Sequence, residues 1–216
     1  MSIKLYHFIF ILCISLAHTS YANVIYVGKG QRITTIKKAL SVSYAGDTII
    51  VKKGLYKEGN IIIDKAVCLL GEDRPVLDGE LKYEVLSVKS DHVTISGFFI
   101  QNSGRGAMDD TGGIKVYDSR NVTIAGNELL NNYFGIYMQY TTHCIVKNNI
   151  IKASQKEENQ SGNGIHCWKS DSLRIIGNTV TGHRDGIYFE FVTHSVIWRN
   201  TSYSNMRYGL HFMFSH

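Results

Sequence analysis

The chain has 216 residues, of which 44% are hydrophobic and 19% charged, with 20 Gly and 1 Pro; this composition excludes a disordered tail and a collagen-like rod. The formal net charge of +5, from 23 Lys and Arg against 18 Asp and Glu, is mild and its basic residues are scattered, so nothing points to a nucleic-acid partner. The length suits a single all-β domain with one sizeable core.

The chain opens as an export signal. Lys4 supplies a positive start, Leu5 to Leu16 an apolar stretch, and Ser20-Tyr21-Ala22 a small-x-small cleavage motif, predicting a signal peptide over residues 1–22 and export to the periplasm. The apolar run is shorter than the ~20 residues that a spanning helix needs, and no such stretch follows. Cys13 is preceded by Phe10-Ile11-Leu12, which lacks the small residues of lipoprotein processing. After cleavage Cys68, Cys144 and Cys167 remain. An odd number allows at most one bridge, and the alternative is three small buried apolar side chains.

Next in order, Ile33-Thr34-Thr35-Ile36-Lys37-Lys38-Ala39-Leu40 places apolar residues at helical spacing, predicting a short helix that caps one end of the fold. Gly46-Asp47-Thr48-Ile49-Ile50-Val51 then reads as a strand. Ser90-Asp91-His92-Val93-Thr94-Ile95-Ser96-Gly97 shares its phase with Ser119-Arg120-Asn121-Val122-Thr123-Ile124-Ala125-Gly126, so at least one structural unit precedes the region where the pattern becomes strict.

From there an internal repeat governs the chain. Gly followed by Ile or Leu recurs at Gly113, Gly135, Gly164, Gly186 and Gly209, at spacings of 22, 29, 22 and 23 residues, and Asn127, Asn149, Asn178 and Asn200 stand fourteen residues after the first four. Each unit holds an alternating run such as Gly186-Ile187-Tyr188-Phe189-Glu190 and, after a polar break, a second one such as Leu173-Arg174-Ile175. A unit of ~22 residues with two or three short strands and Gly or Asn at its corners is one coil of a parallel β-helix. Residues 23–216 therefore form an all-β, right-handed parallel β-helix with a short N-terminal capping helix, the hand following from the usual crossover preference. The repeated Asn is expected to tolerate positive φ and to bond its amide to the same amide one coil away. The polar run from Ser154 to Gly162 accounts for the longer spacing and reads as an external loop. The fifth unit stops at His216 without a visible cap, so the domain reads as incomplete at its C-terminus.

With Ile or Leu pointing inward, strand alternation turns the second and fourth places after each Gly outward. This predicts one column Lys115, Tyr137, His166, Tyr188, His211 and another Tyr117, Gln139, Trp168, Glu190, Met213, a face rich in aromatic, imidazole and thioether groups for a surface in water. His211 and Met213, with Glu190 and Tyr188 one coil away, offer soft donors suited to copper; a docking surface of stacked rings is the alternative. His166 and His211 are two rungs, or ~9.6 Å, apart and cannot share one ion without movement. His143 and His194 recur in a turn and read as solvated. Asp109, Asp110, Asp185 and Glu190, with Arg184, would be the acids and cation of a carbohydrate-active site. Asp185 alternatively reads as a turn acid bonding local backbone.

The runs Gly182-His183-Arg184-Asp185-Gly186-Ile187-Tyr188-Phe189-Glu190-Phe191 and Asn205-Met206-Arg207-Tyr208-Gly209-Leu210-His211-Phe212-Met213-Phe214-Ser215, with Gly46-Asp47-Thr48-Ile49 and Gly54-Leu55-Tyr56 upstream, closely resemble the NosD family. That resemblance implies a non-enzymatic periplasmic protein in maturation of the copper-sulfide centre of nitrous oxide reductase. It implies as partners an ABC transporter ATPase and permease, the reductase itself and a copper chaperone, with contact to the membrane only through them. Carried onto this chain, it directs the metal-site expectation to His166, Glu190, His211 and Met213, with His183, Arg184 and Asp185 shaping a corner or orienting a partner. A polysaccharide lyase or glycoside hydrolase of the same fold is the alternative.

Overall fold

The computed structural model describes residues 22–105, 110–154 and 157–216. The signal-peptide reading, apart from Ala22, and Asp109 lie outside them. No helix among the described residues is long and apolar enough to cross a membrane.

Three parallel sheets run the length of the stack, with 8, 7 and 7 strands. The first extends from Val24–Val27 to Val196–Trp198, the second from Leu55–Tyr56 to Thr201–Tyr203. The third holds Ile61–Ile63, Leu86–Val88, Gly112–Tyr117, Phe134–Gln139, Ile165–Trp168, Ile187–Glu190 and Leu210–Met213. Each strand pairs in register with its counterpart one coil on, so like residues stack. In the first sheet Ile49, Leu69, Ile95, Ile124, Val146, Ile175 and Ile197 form one column. In the second, Leu77, Ile100, Leu129, Ile151 and Val180 form another, and all five are fully buried. Burying a branched aliphatic side chain stabilises by about 1.5–3 kcal/mol, so these columns, repeated on three walls, hold the coils together.

The Asn ladder forms as the repeat predicts. Asn127 Nδ2 donates to Asn149 Oδ1 at 3.1 Å, Asn149 Nδ2 to Asn178 Oδ1 at 3.0 Å and Asn178 Nδ2 to Asn200 Oδ1 at 2.9 Å. Positive φ falls instead on the residue just before each Asn: Gly126 at 63°, Asn148 at 54°, Gly177 at 65° and Arg199 at 52°. The division of labour is physical, because a side chain that must reach both neighbouring coils is best carried on ordinary backbone, with the reversal made one residue earlier.

The capping helix spans Ile36–Val42, starting later than the sequence pattern. Thr35 Oγ1 accepts from Lys38 N at 3.3 Å, and the Glu58 carboxylate takes the N–H groups of Ile36 and Lys37 at 2.8 and 2.9 Å. These bonds satisfy donors that a helix start leaves without partners. Ile33 falls outside because it bridges to Val27 of the first strand. Ile36, Ala39 and Leu40 are buried against the first coils. Cys68, Cys144 and Cys167 are all free thiols, which settles the cysteines in favour of unpaired residues.

Candidate metal-binding face

On the third sheet the register is Lys115–Tyr137–His166–Tyr188–His211 and Tyr117–Gln139–Trp168–Glu190–Met213, the two columns that alternation predicts. Upstream the first column continues with Ser87, which the sequence pattern missed because no repeat Gly marks that coil.

The first column is closed to water as far as Tyr188, and His211 at its end is half-buried. Lys115, Tyr137, His166 and Tyr188 are each 5–8% exposed. Over Tyr137 and His166 the cover comes from Phe134, the first residue of its strand. The Phe134 ring lies 5.1 Å from Tyr137 and 5.3 Å from His166. Above it runs the end of the loop from Ser154 to Gly162, and a Cβ on Gly162 would come within 2.7 Å of that ring. A glycine is needed there because the backbone presses on an aromatic edge.

Beneath this cover the column is a continuous ring stack. Tyr137 and His166 are parallel at 4.5 Å, Tyr188 meets His166 edge-on at 4.8 Å, and His211 lies 4.6 Å from Tyr188. Lys115 Nζ closes the upstream end 4.7 Å over the Tyr137 ring and donates to the Asp110 carbonyl at 3.1 Å. Beside it, Glu84 is buried and accepts from Ser87 and from Tyr117 Oη. Burial pushes the Glu84 carboxyl up from its ordinary value, against the pull of these donors and of Lys115 and Lys89.

The sequence-predicted metal ligands fall at the other end. Burial, reinforced by Arg184 and Lys115, depresses His166 to about 3, so its ring is neutral. His166 Nε2 is buried without a hydrogen-bond partner among the described residues and faces Glu190 Oε2 at 3.8 Å. One coil on, Glu190 pairs with Met213, whose Sδ accepts from Tyr188 Oη at 3.2 Å. His211 Nδ1 lies 3.3 Å from Asp185 Oδ2. Thus His166 and Glu190 are brought together, Met213 neighbours Glu190, and His211 is separated from His166 by the Tyr188 rung. Among the described residues, no group of three or more His, Cys, Asp or Glu is arranged to hold an ion; a site here would draw on the Met213 sulfur as well.

The donors fit a soft metal ion. A neutral imidazole faces a carboxylate on the next coil, and a thioether is paired with that carboxylate's position one coil further on; these are donor types that suit such an ion. The 3.8 Å gap from His166 Nε2 to Glu190 Oε2 exceeds a hydrogen bond and approaches the span of two metal–ligand bonds of about 2 Å each meeting at an open angle.

Other sequence candidates separate from this cluster. His143 and His194 are exposed at positive φ, as expected of turn residues, and His194 Nδ1 pairs with Asp171 Oδ1 at 2.6 Å. Asp110 is exposed. Asp185 is fully buried, 3.7 Å from Arg207 Nε and 4.0 Å from Arg184 Nε. It accepts from Tyr208 N at 3.2 Å, so the backbone group it bonds belongs to the next coil and not to its own turn. His183 is fully buried, with Nδ1 3.3 Å from Ser161 Oγ. The corner after the last five strands of this sheet is taken at positive φ by Asp118, Tyr140, Lys169, Phe191 and Phe214, and the Phe191 and Phe214 rings stack at 5.0 Å.

Comparison with known proteins follows this geometry. The family model NosD, described as a periplasmic copper-binding protein, matches residues 40–216. A Pseudomonas aeruginosa protein described as an ABC transporter binding protein, NosD, is 32% identical over 130 residues, covering 59% of this chain and 30% of that protein; the match spans less than a third of that relative. Among solved structures, the Dettilon tailspike protein gp208 superposes with a TM-score of 0.64 at 16% identity, over 88% of this chain and 46% of that one. Pectate lyase Pel9A gives 0.61 at 14% identity, over 84% and 55%. At such identities the likeness to both is one of fold.

Proposed function

This chain belongs to the NosD family, described as periplasmic copper-binding proteins, and on that premise we propose that it is an exported accessory protein that holds copper on the third sheet during maturation of the copper-sulfide centre of nitrous oxide reductase. Its partners in this reading are an ABC transporter ATPase and permease, the reductase, and a copper chaperone that hands over the ion. The proposed ligands are His166 and Glu190 with Met213, and, for an ion other than the one His166 holds, His211 on the same strand as Met213. The observation that carries the reading is the buried His166 Nε2, which has no hydrogen-bond partner among the described residues and faces a carboxylate and, one coil on, a thioether. Burying a polar atom without a partner costs about 1–3 kcal/mol, a cost that a bound ion offsets. A bound copper ion is the cargo here, and the protein's own part is to hold soft donors neutral and desolvated on a rigid face.

An anaerobic Cu(I) titration against a competing chelator tests this, comparing the wild type with His166→Ala, His211→Ala and Met213→Ala after circular dichroism has verified the fold. Tight binding by the wild type that is weakened in the variants is the expected result. A folded wild type that leaves the chelator fully loaded removes direct ligation. The carbohydrate-active alternative has only fold likeness in its favour, and fold alone does not select a chemistry. Asp185, one of its acids, is sealed from the face by His211 and two arginines.

A further inference from the structure

We propose that the residue immediately before the repeat glycine, Asn163 on one coil and Asp185 on the next, is a positioning residue that fixes the tautomer of a face histidine so that its Nε2 lone pair is presented outward. The inference rests on the copper reading for its purpose and on the protein alone for its geometry.

Asn163 and Asp185 occupy equivalent places, 22 residues apart and each followed by Gly164 or Gly186. Asn163 Nδ2 is placed 3.4 Å from Nδ1 of His166 on its own coil, and Asp185 Oδ2 lies 3.3 Å from Nδ1 of His211 on the next. Both are fully buried, at 0% exposure, so neither contact is made in competition with water. A carboxylate flanked by two guanidinium groups can only accept. His211 must therefore offer it Nδ1–H, which leaves the lone pair on Nε2.

His166 follows by the same logic. The oxygen and nitrogen of an amide are interchangeable in shape, and the hydrogen-bond network decides between them. Placed with its nitrogen toward the ring, Asn163 has an Oδ1 without a partner among the described residues, and the same holds for His166 Nε2. With the amide turned over, Oδ1 accepts from Nδ1–H, as Asp185 does for His211, and Nε2 carries a bare lone pair opposite Glu190. Metal-bound histidines are oriented in this way, with the other ring nitrogen donating to a carboxylate or carbonyl oxygen. The two anchors differ in charge, so His211 is held beside a charged anchor and His166 beside a neutral one.

The test needs no loaded site. In the full-length, metal-free, 15N-histidine-labelled protein at pH 7.5, long-range 1H–15N correlation spectra report the tautomer of each ring, assigned with His166→Gln and His211→Gln. Both rings are expected as the Nδ1–H form, and finding either as Nε2–H overturns the inference for that ring without any further variant. Asn163→Ala and Asp185→Ala should each release their own histidine to a mixed population and weaken Cu(I) ten- to a hundredfold in chelator competition. Asn163→Asp should restore the Nδ1–H form and the affinity, which a purely structural role for Asn163 would not do. Should Asp185→Ala fail to fold, Asp185→Asn keeps the volume and the acceptor and should hold the tautomer with a smaller loss of affinity. Ala variants that shift the tautomer while binding Cu(I) unchanged overturn the positioning role. Wild-type rings held as Nδ1–H with no Cu(I) binding remove the copper reading and leave the orientation standing.

Discussion

Replacing Asn149 by Ala is the sharpest test of what holds adjacent coils in register. Its side chain makes four hydrogen bonds. Oδ1 accepts from Asn127 N at 3.0 Å and Asn127 Nδ2 at 3.1 Å, while Nδ2 donates to the Ile124 carbonyl at 3.0 Å and to Asn178 Oδ1 at 3.0 Å. Asn149 is 1% exposed, so water cannot replace them. At about 1 kcal/mol net for each bond the loss is about 4 kcal/mol, and stranded donors raise it further. That is a large fraction of the 5–15 kcal/mol by which folded domains exceed their unfolded states. Asn200 is the control. It accepts from Asn178 N and Nδ2 at 2.8 and 2.9 Å and donates to the Ile175 carbonyl at 2.7 Å, but it is half-buried and solvent can compensate, so Asn200→Ala should cost about 1 kcal/mol. Urea unfolding followed by circular dichroism and Trp fluorescence gives both values, with the slope reporting whether the stack melts as one unit. If Asn149→Ala lies within 1 kcal/mol of wild type, or Asn200→Ala costs as much, the ladder is not the fastening described.

Acid should weaken the fold before its carboxylates titrate. Burial lowers His183 from 6.5 to about 4 and His166 to about 3, so stability is full above about pH 6.5. It falls by about 1.4 kcal/mol per unit for each group as the unfolded chain takes up protons, until the folded form is protonated in turn near those lower values. His183 alone contributes about 3 kcal/mol over that window. Urea midpoints measured from pH 7.5 to 4.5 should slope downward, less steeply in His183→Gln; a flat profile contradicts the buried neutral rings. Gly182 sits at φ +75° with a would-be Cβ 1.9 Å from the Ala153 carbonyl, whereas Gly30, at +82°, meets nothing within 4 Å. Gly30→Ala should therefore cost only the backbone strain of about 1–2 kcal/mol, and Gly182→Ala distinctly more. Equal melting temperatures for the two would count against the close approach. Among the described cysteines, burial raises Cys144 and Cys167 above the ordinary thiol range. Ellman's reagent should label Cys68 quickly and the other two only on unfolding.

The stack was legible because a coil is a period, and a period survives point variation. Once Gly113, Gly135, Gly164, Gly186 and Gly209 were aligned, alternation gave the pairing of His166 with Tyr188 and of Glu190 with Met213 without any coordinates. Burial of the face was not legible. It depends on groups from outside the alternating pattern that lie across the sheet, and only Gly162, pressed against the Phe134 ring, hints at so close an approach. The anchors Asn163 and Asp185 were hidden for another reason. They precede the strand that displays the histidines, where a polar residue reads as ordinary turn chemistry, and the bond from Asp185 to His211 crosses to another coil. Ser87 and Glu84 went unseen because their coil lacks the repeat glycine, leaving no phase mark from which to count.

In-register stacking also quantises the face. Successive outer side chains stand one strand spacing apart, ~4.8 Å, so distances along a column come in whole steps and cannot be tuned by sliding. An ion gripped by one coil can enlist only the coil above or below it. Between His166 and His211 the intervening rung is Tyr188, whose ring touches both histidines and whose hydroxyl reaches the Met213 sulfur. Communication between the two imidazoles is therefore forced through a phenol, and substitution of that single side chain changes both ends together.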